Sequence, residues 1–183
     1  PDRDPHGGSR ALGGESDDGA AVPLRTAALG DTVAVTVLAT GAIVLWDGAS
    51  FSATYQLHLP KAELELDVTG VALSGDDRYV LGWGAAPTLG VAVWRTVDGS
   101  LAKIFYLPAA ARGVVAGAFV PPDGNAHWSL PSHSPVLALL CDNGVLYFVS
   151  LASGVVLAQI GGKTRPLSGF APIIGETGIS ALI

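Results

Sequence analysis

The side chains able to do chemistry are few in this chain and widely spaced. The histidines are His6, His58, His127 and His133, and the only cysteine is Cys141. His127 and His133 share a short Pro-rich stretch with Trp128, the one place where two imidazoles could meet a metal ion. Zinc takes three or four ligands backed by a second layer of hydrogen bonds. Only Asp123 stands near enough to join them, so the stretch reads as a surface loop and no metal is expected. Cys141 closes the apolar run Pro135-Val-Leu-Ala-Leu-Leu-Cys141, which points to a buried structural thiol rather than a nucleophile. Gly161-Gly162-Lys163-Thr164 ends like a phosphate-binding loop. That loop needs a glycine where Leu157 stands and a helix where Pro166 stands, so a strand exit is the better reading. There is no Gly-x-Ser-x-Gly elbow. The acids Asp76, Asp77, Asp98 and Asp142 all sit in turn-like sequence, where Asp has a backbone role. No catalytic residue, cofactor or metal site is therefore expected.

Composition sets the frame around these residues. Of 183 residues, 49% are hydrophobic and only 14% charged, against about 25% charged in ordinary soluble domains. The formal net charge is −6, with no basic stripe of the kind phosphate neutralisation requires, so direct nucleic-acid binding is not expected. A single cysteine excludes an intramolecular disulfide framework. The chain begins at Pro1 and contains no Met, which reads as a piece of a longer protein. Residues 1–23 carry five acids and two arginines with only Leu12 and Val22 as large aliphatics. Such a stretch cannot bury enough apolar surface to offset its ordering entropy, so a disordered acidic linker or loop is expected there.

The elements that must position everything else are strands. Apolar runs rich in Val, Ile, Tyr and Phe alternate with Asp-Gly, Asn-Gly and Ser-Gly turns, whose residues tolerate the positive φ of tight hairpins. No stretch holds a 3.6-residue period long enough for a helix. The runs stack into three units, with Trp46, Trp94 and Val149 at equivalent positions, 48 and 55 residues apart. Each unit reads as four strands, except that the first lacks an opening strand. The longer interval holds an insertion, residues 122–135, between the first and second strands of the third unit. Residues 143–162 contain no charged side chain and so offer an alternative reading as a membrane span. Their glycines and β-formers favour two strands instead, and no membrane attachment is expected.

Gly41-Ala-Ile-Val-Leu-Trp46-Asp47 resembles the third strand of a WD-repeat blade. Val71-Ala-Leu-Ser-Gly-Asp-Asp-Arg-Tyr-Val80 is similar to the first strand, turn and second strand of one. Residues 143–154 are similar in style to quinoprotein-like propellers as well. The resemblance covers about residues 24–160, although no Gly-His dipeptide precedes a first strand and Trp-Asp occurs once. It implies an all-β partial propeller of three four-stranded antiparallel blades, with 161–183 as an exit segment or the start of a further element. Three blades do not close a ring, since a seven-bladed propeller needs on the order of 300 residues.

The function implied is a non-enzymatic interaction scaffold whose partners are other protein subunits. Trp128, flanked by His127, Leu130 and His133 on the insertion, is the expected anchor, because exposed aromatics supply interface hot spots. Degenerate propellers of this resemblance belong to intracellular assemblies. The tail from Lys163 to Glu176 is loosely similar to the exit of nucleolar subunits in ribosome biogenesis, with ciliary and coat scaffolds as other homes. The alternative is a propeller enzyme or ligand binder with a central-channel site. That would need convergent polar groups, whereas the inner strands read Val, Ala, Leu and Phe.

Overall fold

Runs of β-branched and aromatic residues punctuated by turn dipeptides form antiparallel meanders. The computed structural model describes residues 22–60, 66–84, 90–111, 113–120 and 135–161, and the backbone of 172–175 and 178–181. The first sheet is β1 (Leu24–Leu29), β2 (Val33–Leu38), β3 (Ile43–Asp47) and β4 (Ala53–Leu57). The second is β5 (Val68–Leu73), β6 (Tyr79–Gly84), β7 (Gly90–Arg95) and β8 (Leu101–Tyr106). A 3₁₀ turn, Ala109–Ala111, precedes the third: β9 (Val114–Val120), β10 (Val136–Cys141), β11 (Val145–Ser150) and β12 (Val156–Gly161). The strands of each sheet lie in chain order, and a separate hairpin pairs β13 (Pro172–Gly175) with β14 (Gly178–Ala181). The described residues are thus all-β, with three four-stranded antiparallel blades of a partial propeller.

Two expectations need correction. The first blade does not lack its opening strand: β1 pairs with β2 from Leu24↔Leu38 to Leu29↔Ala34. Leu24-Arg-Thr-Ala-Ala-Leu29 is exposed or half-buried, and toward the second sheet it presents only Arg25, Thr26 and Ala28. It therefore lacks the apolar signature of the equivalent β5 and β9. The membrane-span alternative over 143–162 is replaced by β11 and β12, paired antiparallel around the turn at Leu151–Ser153. No helix among the described residues is long and apolar enough to cross a membrane.

The register confirms the repeat. Ala34 faces Trp46, Val80 faces Trp94 and Leu137 faces Val149, and a bulge follows at the same place in each third-to-fourth strand pair. The inner strand β5 runs beside β1 on one side and β9 on the other. Alternation along each strand then sends one set of side chains to the blade before and the other to the blade after. Val35, Val37, Leu45, Val80 and Trp94 fill the seam between blades 1 and 2. Leu81, Trp83, Val93, Leu137, Leu139 and Val149 fill the seam between blades 2 and 3. A third cluster, including Val136, Leu140, Leu146 and Phe148, is buried on the far side of blade 3. Each such large side chain contributes about 1.5–3 kcal/mol on burial.

Both faces of blade 2 are covered, so β6 and β7 read almost continuously apolar. Trp83 is the wedge of the second seam. Its indole lies against Gly70 of its own blade, and a Cβ on Gly117 of β9 would come within 2.9 Å of the ring. Glycine at both positions is what lets two inner strands close around one tryptophan.

Candidate interaction surface

The four residues singled out as an anchor, Trp128, His127, Leu130 and His133, lie outside the described residues, as does Asp123. What the structure fixes is their frame: the segment that holds them joins Val120 at the end of β9 to Val136 at the start of β10, and these two strands pair directly. Gly161, with φ of 92°, ends β12, and Gly162, Lys163 and Thr164 lie outside the described residues. His58 is exposed just past β4.

Cys141 is buried at the end of β10. Desolvation, helped by the neighbouring Asp142 charge, pushes its thiol up to about 12. A thiol so held is protonated at neutral pH and is not a nucleophile.

The turn acids act on their own backbone. Asp47 accepts hydrogen bonds from the amides of Ala49 and Ser50 and from the Ser50 hydroxyl. The Ser50 amide, with its hydroxyl, holds the Asp47 carboxyl below its ordinary range. Asp98 is lowered in the same way by the Ser100 hydroxyl and amide. At Asp76 partial burial works upward, but the Ser74 hydroxyl, the Arg78 amide and the Arg78 charge outweigh it and bring the carboxyl below its ordinary range. Among the described residues there is no group of three or more His, Cys, Asp or Glu that could hold a metal ion.

Several polar side chains instead join one blade to the next. Asp77, in the β5–β6 turn with φ of 56°, accepts from the Thr32 amide at 2.7 Å and the Thr32 hydroxyl at 2.9 Å in the β1–β2 turn. At the opposite end of these strands Arg25 pairs with Asp67 and donates to the Val68 carbonyl. The Trp94 indole donates to the His58 carbonyl at 3.0 Å. The Tyr55 hydroxyl donates to the Val97 carbonyl at 3.2 Å, and the Lys103 ammonium to the Ala152 carbonyl. In the last two, the outer strand of one blade grips the third-to-fourth-strand turn of the next. Beside Arg25 and Asp67, a cleft of about 390 Å³ opens at the seam of blades 1 and 2, lined by Gln56, His58, Leu59, Leu66 and Val68 among others.

Those third-to-fourth-strand turns carry exposed apolar side chains: Phe51 is 80% exposed, Val97 77% and Val155 58%. Sequence reading missed Phe51. Asp-Gly pairs as a class suit the positive φ of tight turns, yet in the turn after Asp47-Gly48 the residue with φ of 52° is Phe51. Gly48 is needed for close approach instead: its amide donates to the Thr32 carbonyl at 2.8 Å, leaving no room for a side chain. Counting from the equivalent Trp46, Trp94 and Val149, Phe51 aligns with Gly99 (φ 67°) and Gly154 (φ 78°). A bulky residue in the left-handed region is a genuine outlier. Aligning the turns by their tryptophans, rather than by their Asp-Gly pairs, would have exposed it.

The arrangement is therefore a set of cross-linked blades presenting turns, in which Asp47, Asp76 and Asp98 hold their own turns while Asp67 and Asp77 join one blade to the next. No protein-family model matches the chain, and no curated protein matches it.

Proposed function

We propose that this chain is a non-enzymatic protein-interaction scaffold, a WD-repeat-like propeller portion of a subunit of a larger assembly. The observation that carries this reading is the cross-blade bonding. Asp77 to Thr32, Arg25 to Asp67, Tyr55 to Val97 and Lys103 to Ala152 tie successive blades near both ends of their strands. Exposed turn residues are thus held in fixed mutual positions, which lowers the ordering cost of docking a partner. Trp128, with His127, Leu130 and His133, stays the proposed anchor, carried between two strands of blade 3. The likeness of the Lys163–Glu176 tail makes a nucleolar ribosome-biogenesis assembly the first one to examine, ahead of ciliary and coat scaffolds.

Affinity capture and cross-linking with the full chain and with Trp128→Ala tests the reading. A specific set of subunits should be recovered by the native chain and depleted by the variant, at an unchanged melting temperature. Recovery of the same set by both would overturn the anchor assignment.

A further inference from the structure

We propose that Asn143 is a modification site: its side-chain amide is lost by deamidation on the neighbouring Gly144, and the conversion frees the connector between blades 2 and 3. This goes beyond the interaction reading above and does not rest on it.

The reactive pair is written in the sequence. The chain has two asparagines, Asn125 and Asn143, and only Asn143 precedes a glycine. Asparagine is among the thermolabile residues, and a following glycine, having no side chain, leaves its own nitrogen unobstructed. Once deprotonated, the Gly144 nitrogen attacks the Asn143 γ-carbon, the bond to the side-chain nitrogen breaks, and ammonia leaves. Water then opens the resulting succinimide at either carbonyl, giving aspartate or isoaspartate. One water is consumed for each ammonia released, and nothing is oxidised or reduced.

The fold holds this pair back with three hydrogen bonds. Gly144, with φ of 73°, donates its amide to the Cys141 carbonyl at 2.9 Å. Asn143 Oδ1 accepts from the Val145 amide at 3.0 Å, and Asn143 Nδ2 donates to the Ala110 carbonyl of the connector at 2.7 Å. The attacking nitrogen and the group it attacks are thus both engaged.

The matching turn of blade 1 shows which bond is particular to Asn143. There Gly41, with φ of 83°, donates to the Leu38 carbonyl at 2.8 Å, and the Ala42 amide donates to the Thr40 hydroxyl at 3.5 Å. Threonine therefore serves the turn, but it has no amide to reach a connector. Thr40 and Gly41 are exposed with blade 2 in place, whereas Asn143 is half-buried under its connector bond. A following blade thus leaves this turn open to water.

Conversion removes the donor. The Ala110 carbonyl then faces a carboxylate, acceptor against acceptor. The new charge stands next to Asp142, whose amide also ties the turn to the connector through the Gly113 carbonyl at 3.0 Å. Isoaspartate in addition puts an extra carbon into the main chain of the turn, so the Gly144–Cys141 bond cannot re-form in its present geometry. Cys141, buried at the end of β10, is the nearest reporter of the loosening.

Incubation of the full folded chain at mildly alkaline pH, followed by peptide mass mapping with an isoaspartyl methyltransferase as probe, tests this. Conversion at Asn143 is expected at least about tenfold more slowly than in denaturant, rising at urea concentrations below the unfolding transition. The converted chain, and Asn143→Asp, should be labelled at Cys141 by a thiol reagent at least about tenfold faster than the unconverted chain. Asn143→Thr, which builds the turn as blade 1 does, should not convert and should be labelled more slowly than Asn143→Asp. A folded chain that never converts at Asn143 overturns the proposal. So does conversion that tracks only the globally unfolded fraction, or a converted chain as well protected at Cys141 as the native one.

Discussion

Trp46 and Trp94 hold the same place in successive blades, yet replacing each by Phe should have different costs. Trp94 is fully buried and its indole donates to the His58 carbonyl of the preceding blade. Trp94→Phe removes that bond, worth about 1 kcal/mol net. It also deletes roughly 40 Å² of buried ring, worth about another 1 kcal/mol at about 25 cal/mol per Å². The His58 carbonyl loses a donor at a seam, so a total near 2 kcal/mol follows. Trp46 is half-buried and bonded to Thr36 within its own sheet. Both Thr36 and the remaining ring can find water, and Trp46→Phe should cost under about 1 kcal/mol. Urea unfolding followed by far-ultraviolet circular dichroism measures both, provided the m-value is common to all three proteins. Equal costs, or a larger cost at Trp46, would refute the claim that the two positions differ because one faces a blade and the other does not.

Two further outcomes concern titration. The carboxyls of Asp47, Asp76 and Asp98 are all lowered in the fold, so their stabilisation is present above the ordinary carboxylate range and lost as pH falls through the lowered values. The melting temperature should drop on acidification below about pH 4, and Ser50→Ala with Ser100→Ala should shallow that drop; an unaltered acid limb would contradict the turn assignments. Cys141, with its thiol near 12 in the fold and about 8.5 when unfolded, should react with a thiol reagent at pH 8 only after denaturant is added, and stability should decline as pH climbs above about 8.5. Rapid labelling of the native chain would place Cys141 outside the core.

The blade pattern was legible where side chains are buried on both faces. The runs around Trp83 and Trp94 are apolar without alternation because blades 1 and 3 cover blade 2 from both sides. The opening strand was illegible because Leu24–Leu29 meets blade 2 with Arg25, Thr26 and Ala28, the arginine held there by Asp67, instead of with the aliphatics of β5 and β9. The cross-blade bonds could not be read at all. Asp77 looks like any turn acid in sequence, and only the fold brings it to Thr32, 45 residues away. Phe51 was not legible because phenylalanine carries no sequence signal for the left-handed φ it adopts.

The strict chain order of strands within each blade has a consequence for how the molecule is made. Each described sheet pairs strands that follow one another in the chain, so apart from the β9–β10 connection the loop closures that precede pairing are short and entropically cheap. The side-chain bonds of Asp77, Tyr55, Trp94 and Lys103 each join one blade to the adjacent one in sequence. A chain emerging from the ribosome can complete one blade, then use its finished face as the template on which the next one docks. Synthesis can thus proceed as vectorial accretion, each finished blade offering its later face to the blade that follows.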